Sequence, residues 1–208
     1  MSRHLCAALA LLTLAVSMLP GCAAPLNRPA PDRRLYNITA QRPDTAAPAG
    51  DKSVLKVRPL QISPAYQGKE MVYRLGDVEY ETDYYNTFFV QPALNLTSQC
   101  AAWLGRAGVF ATVVDSSSQL QENYLLEGMV NALYGDYRDR NAPKAVLEAQ
   151  FFLLRNKGGD YAVAFTRTYR KEVPFAAGAK DPAPLAEAYN QALAQMLTEL
   201  ERDLRGAK

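Results

Sequence analysis

Apolar positions along the chain follow two periods. At residues 92–107 the period is helical: Leu96, Cys100, Trp103 and Ala107 stand 4, 3 and 4 apart and form one stripe. Pro92 suits the first turn of that helix, and Gly108 suits its termination. A longer stripe, Leu185, Tyr189, Leu193, Met196, Leu200 and Leu204, predicts a second helix starting near Asp181-Pro182. Elsewhere the period is two. Tyr124, Leu126, Gly128, Val130, Ala132 and Tyr134 alternate with mixed partners and predict a long half-buried strand. Residues 145–154 repeat the pattern, with Leu147, Phe151 and Leu153 on one face. After the turn Asn156-Lys157-Gly158-Gly159-Asp160, residues 161–173 place Val163, Phe165 and Tyr169 against Thr and Arg. Long strands with short connections predict an antiparallel meander with one wet face and one dry.

Shorter strands are expected upstream. Leu35-Tyr36-Asn37-Ile38 is one candidate, and residues 54–60, with Val and Leu alternating against Lys and Arg, are a stronger one. Residues 71–75 and 78–82 flank Gly76-Asp77, a pattern that predicts a type II′ hairpin. Residues 109–114 read as a short apolar strand, and the Ala, Pro and Gly of residues 44–51 as a loop. Together these elements predict an α+β domain: a mostly antiparallel or mixed β-sheet with two main helices packed on one face.

The N-terminal segment has a different character. A short start carrying Arg3 precedes an apolar run at residues 5–19, which is too short to span a bilayer and reads as a secretory signal. The run ends in Leu19-Pro20-Gly21-Cys22, which resembles a bacterial lipobox. That resemblance implies a signal peptide at residues 1–21 and an acylated Cys22 as the mature N-terminus. Ala23, where an Asp would retain such a protein in the inner membrane, implies the outer membrane and a periplasm-facing domain. Residues 22–34 then form a lipidated, Pro-rich tether of up to roughly 40 Å at polyproline rise, and residues 35–208 form the folded domain. Acyl chains anchor a protein to a membrane without spanning it.

Cleavage changes the chemical inventory. The chain has 23 Lys+Arg, 21 Asp+Glu and one histidine, His4, which leaves with the signal. Without histidine, neither Ser-His-Asp or Cys-His catalysis nor a histidine metal site can be built. Cys6 also leaves, so Cys22 and Cys100 remain, and with Cys22 lipidated no intrachain disulfide is expected. Cys100 lies on the helical stripe and reads as packing. No G-x-x-x-x-G-K-[ST] or G-x-G-x-x-G motif is present. A net charge of +2 offers no footprint for nucleic acid. No cofactor is expected.

Three polar or aromatic clusters stand out. Asp77, Glu79, Glu81 and Asp83 occupy alternate positions, so a strand would align all four on one face. Such a row could supply a glycosidase-like acid and base or hold Ca²⁺, although a solvated outer face is the simpler reading. Arg167, Arg170 and Lys171, with Arg155 and Lys157, could touch lipid phosphate or form a wet strand face. Tyr66, Tyr73, Tyr80, Tyr84 and Tyr85 crowd one segment and are the candidate partner-binding residues, since Tyr pairs an apolar body with a polar tip.

The order of these features resembles the ABC-type transport auxiliary lipoproteins, the group containing the C component of the paraquat-inducible (Pqi) system. The resemblance rests on the lipobox, the Pro-rich tether, Leu35-Tyr36-x-Ile38, Ile62-Ser63-Pro64-Ala65-Tyr66, Met71-Val72-Tyr73-Arg74 and Gln91-Pro92-Ala93-Leu94 at a helix start. It covers about residues 34–204. Where the family often has a Trp before the helix, this chain has Phe88-Phe89-Val90-Gln91. The resemblance implies a non-enzymatic docking component of a system that moves lipids or other hydrophobic molecules between membranes. The implied partner is an MCE-domain periplasmic subunit, and a homo-oligomer is left open. An outer-membrane lipoprotein that binds peptidoglycan or a cell-envelope assembly enzyme is the alternative.

Overall fold

The first of the three long alternating segments organises the sheet. In the computed structural model, which describes residues 32–44, 46, 49, 51–176 and 182–208, that segment is β7 (Tyr124–Asp136). The signal, Cys22, most of the tether and Asp181 lie outside the described residues. Upstream of β7 come β1 (Arg34–Tyr36), β2 (Val54–Val57), β3 (Gln61–Ile62), a 3₁₀ turn (Pro64–Tyr66), β4 (Glu70–Arg74), β5 (Tyr80–Phe88), helix α1 (Pro92–Arg106) and β6 (Thr112–Asp115). Downstream come β8 (Lys144–Lys157), β9 (Asp160–Pro174) and helix α2 (Ala183–Ala207). Residues 33–208 form one compact unit.

β7, β8 and β9 make the expected antiparallel meander. The β8–β9 connection is Gly158-Gly159, at φ +74° and +110°, a backbone that side chains rarely adopt. β7's other edge is shared by three short parallel strands: β2 at residues 124–126, β3 at 129–130 and β4 at 135–136. β2 carries β6 in parallel, β4 carries β5 antiparallel, and β5 carries β1 in parallel at the sheet edge. The result is a mixed nine-stranded sheet.

Both helices supply one core. α1 buries Leu96, Cys100, Trp103 and, just past its end, Ala107, and Gly108 at φ +63° stops the helix as expected. α2 buries every residue of its predicted stripe and packs on β8 and β9. Each fully buried large side chain contributes about 1.5–3 kcal/mol. A second, small cluster, Val72, Ala132, Tyr134 and Val146, lies on the opposite face of the sheet. The pleat places it there, because Met71, Leu133, Ala145 and Leu147, the chain neighbours of its members, all belong to the main core.

Several strand expectations need correction. The expected Tyr124–Tyr134 alternation breaks at a bulge between Val130 and Ala132. One extra residue flips every later side chain. Val130 and Leu133 therefore share the main core, while Ala132 and Tyr134 face the other way. A similar shift beside Leu153–Leu154 leaves Val163 63% exposed rather than aligned with Tyr169. The strand expected over residues 54–60 stops at Val57, because Pro59 has no N–H to continue the ladder. The strand expected at 109–114 begins at Thr112, and Val109 and Phe110 enter the core before it.

The hairpin after Met71 forms, but not by a type II′ turn. Arg74 pairs with Tyr80, and the N–H groups of Leu75 and Gly76 both donate to the Glu79 carbonyl, at 2.9 and 3.4 Å. Type II′ needs a positive φ at its first central residue, and Gly76 does not have one. The second strand starts at Tyr80 and runs to Phe88.

Candidate functional site

The β4–β5 hairpin places the five candidate tyrosines in three different environments. β4 points Val72 to the outer face and Met71 into the core, so Tyr73 follows Met71 inward. Tyr73 donates its hydroxyl to Asp83 at 2.7 Å and meets Tyr137 edge-on at 5.4 Å. Burial, with the Asp83 carboxylate beside it, pushes the Tyr73 phenol far above its ordinary range.

Tyr66 and Tyr80 converge on the outer face, around Tyr134. Tyr66, at the end of the 3₁₀ turn, stacks on Tyr134 with ring centroids 6.1 Å apart, and Tyr80 meets Tyr134 edge-on at 5.9 Å. Arg74 lies 5.7 Å from the Tyr80 ring. Arg170 donates to the Tyr134 hydroxyl at 3.2 Å and to Glu148 and Glu172 at 2.9 Å. This is a half-exposed aromatic platform with two cations in contact with it. Sequence reasoning found Tyr66 and Tyr80 but missed Tyr134, because a bulge decides its face.

Tyr84 and Tyr85 occupy a third place. Glu70 pairs with Thr87 while Met71 pairs with Asp83, so residues 84–86 stand out of the β4–β5 ladder, and of them Asn86 pairs with Arg34 of β1. Asp83 fixes this wide bulge. Its Oδ1 accepts the N–H groups of Tyr85 and Asn86 at 2.9 and 3.0 Å, and its Oδ2 accepts the Asn86 side-chain amide at 2.8 Å. Burial alone would raise the Asp83 pKa, but the hydrogen bonds from Asn86, Tyr73 and Tyr85 outweigh it and hold the carboxyl below its usual range. The two rings contact each other at 5.3 Å and are exposed.

The acidic row does not form. Asp77 and Glu79 belong to the turn and only Glu81 and Asp83 lie on β5. Arg138 sits between Asp136, at 2.8 Å, and Asp77, at 3.5 Å. Among the described residues no group of three or more His, Cys, Asp or Glu is placed to hold a metal ion. Most of the basic cluster is paired rather than clustered. Arg167 bridges to Asp203 at 2.7 Å, Lys171 to Glu199 at 2.7 Å, and Arg155 lies 5.4 Å from the Tyr124 ring. Cys100 is a buried free thiol, and burial pushes its pKa up to about 12.

Two solved structures share this architecture. Protein XCC0632 from Xanthomonas campestris, of the family DUF330, is 23% identical, with a TM-score of 0.72 over 84% of this chain and 95% of that one. An uncharacterized protein is 18% identical, with a TM-score of 0.64 over 83% of this chain and 99% of that one. At these identities the likeness is one of fold. No curated protein matches the chain. The model of the ABC-type transport auxiliary lipoprotein component matches residues 36–201, from β1 to the Glu201 turn of α2, and the chain therefore belongs to that family.

Proposed function

We propose that this chain is an outer-membrane-anchored, periplasm-facing lipoprotein that docks the MCE-domain subunit of an ABC-type system moving lipids or other hydrophobic molecules between membranes. The observation that carries this reading is the family match over residues 36–201. The Leu19-Pro20-Gly21-Cys22 sequence supports an acylated Cys22, and Ala23 supports the outer membrane. The Tyr66–Tyr134–Tyr80 platform is the surface best suited to a protein partner, with Arg74 and Arg170 at its border. Aromatic side chains and Arg are enriched in interface cores because they bury large area with a polar handle. The role is one of docking, with no catalytic step assigned to any residue.

Crosslinking of the anchored protein in its native cells, followed by mass spectrometry, tests this. Recovery of an MCE-domain subunit with its permease is the expected outcome. Recovery of cell-wall enzymes instead, or specific sedimentation of the protein with purified sacculi, would replace it with the peptidoglycan-binding reading.

A further inference from the structure

Four large apolar side chains left in water lie near one edge of the sheet: Tyr84 is 65% exposed, Phe89 59%, Leu35 58% and Tyr85 42%. They lie on or beside the β1–β5 pairing, which joins Arg34–Tyr36 to Asn86–Phe88. Leu35 lies opposite Thr87, and the Phe89 N–H donates to the Tyr36 carbonyl at 2.7 Å. Two cations border them: Arg33 lies 5.2 Å from the Tyr84 ring, and the Lys69 ammonium donates to the Phe89 carbonyl at 2.9 Å. Amphipathic aromatics flanked by Lys and Arg are the composition of a membrane–water boundary.

Position decides the occupant. Arg33, packed on Tyr84, is where the chain enters the folded unit. From Cys22 to Arg33 the chain, even fully extended, reaches at most about 40 Å. A patch at the root of so short a tether meets the anchoring surface at an effective concentration of about millimolar. Contacts too weak to recruit a free protein to a membrane are then sufficient to orient an anchored one.

We infer that Leu35, Tyr84, Tyr85 and Phe89, with Arg33 and Lys69, seat the domain on the phospholipid surface that holds the Cys22 anchor. The inference rests on the anchored reading above and adds a direct lipid contact to it. The Asp83-pinned bulge presents the two tyrosines, and the platform around Tyr134 remains a separate surface.

The test couples the chain beginning at Cys22, through that thiol, to maleimide-headgroup lipid in vesicles of phosphatidylethanolamine and phosphatidylglycerol with brominated acyl chains. Cys100 is buried and does not compete. Tyr84→Trp, Phe89→Trp and Val163→Trp are compared, Val163 being exposed on the edge strand β9. The natural Trp103 is buried, and its emission is the constant background. Brominated lipid should extinguish the added emission of the Tyr84→Trp and Phe89→Trp chains and spare that of Val163→Trp. Unquenched emission from both patch variants, or equal quenching of all three, would overturn the inference. So would a concentration-dependent blue shift of the Tyr84→Trp chain without vesicles, which would mean that a second copy covers the patch. Because the coupling is chemical, these outcomes do not depend on whether cells acylate Cys22. Palmitate labelling tests that separately.

Discussion

Trp103 of α1 donates its indole N–H to the Glu201 carboxylate of α2 at 3.0 Å, across 98 positions of sequence. Arg42 donates to the same carboxylate through Nε at 2.9 Å and Nη2 at 3.1 Å, and Arg205 donates at 2.9 Å. One nearly buried acid thus clamps both helices and the segment before β2. Trp103→Phe keeps most of the apolar contact and removes one donor from a charged, desolvated group. Such a loss costs about 1.5–3 kcal/mol. In a chain of this size the thermal midpoint, read by calorimetry or circular dichroism, should fall by about 3–12 °C. An unchanged midpoint would mean that the two arginines suffice.

The same carboxylate predicts an acid response. Burial alone would raise the Glu201 pKa, but hydrogen bonds from Arg42, Arg205 and Trp103 win and hold it below the ordinary value of 4.5. A depressed folded pKa contributes stability that is fully present above the unfolded value and is lost as pH falls through the folded one. Glu201→Gln removes that share, so it should lower the urea midpoint at neutral pH and flatten the decline below about pH 4.5. Other carboxylates, Asp83 and Glu172 among them, also titrate low. The difference between the two pH profiles is therefore the readout, and parallel profiles would contradict the assignment.

Asp83 makes a local prediction. Asp83→Ala removes the acceptor for two backbone amides, one side-chain amide and the Tyr73 hydroxyl. Leaving the half-buried Tyr73 hydroxyl unpaired costs about 1–3 kcal/mol. Hydrogen exchange should accelerate at Tyr85 and Asn86 while the central amides of β8 stay protected. Because the bulge presents Tyr84 and Tyr85, the variant should also weaken any contact they make.

Legibility in the sequence followed the periodicity. Both helices were readable because each carries one uninterrupted apolar stripe, as Leu185 to Leu204 shows, and the β7–β9 meander because its strands alternate over most of their length. The bulges at Asn131 and Ala164 were not, since a one-residue phase shift has meaning only against a partner strand. Nor was the sharing of one β7 edge among β2, β3 and β4, since parallel pairing leaves no local turn signal. The tyrosine cluster was visible as adjacency, but its division was not. Tyr73 faces the core, Tyr66 and Tyr80 face Tyr134, and Tyr84 and Tyr85 leave the ladder altogether.

Gly128 is the point where β7 lets Leu60 and Phe151 approach. A Cβ built there would lie 2.7 Å from Leu60 Cδ2 and 3.0 Å from Phe151 Cδ1, both in the main core. Gly128→Ala should cost about 1–3 kcal/mol as an overpacking change. Gly105 has open space around it and a helical backbone. Gly105→Ala should therefore stabilise by about 0.5–1 kcal/mol. Opposite signs from the same substitution in parallel denaturant titrations would separate packing from propensity. Two equal effects would show that β7 relaxes around the new methyl.

Thiol chemistry gives the last prediction, and it bears on the anchor. Burial holds the Cys100 pKa up at about 12, so at pH 8 only about one thiol in ten thousand is thiolate, and reagent must also reach the α1 stripe. A folded chain beginning at residue 22 with Cys22→Ser should therefore take up no thiol reagent until denaturant is added, and then take up one equivalent. The same substitution in the full chain should abolish palmitate incorporation in cells. If palmitate still appears, Cys22 is not the acylated residue. If the folded Cys22→Ser chain labels readily, α1 opens from the core more often than its packing implies. The free energy of that opening could then be read from the labelling rate.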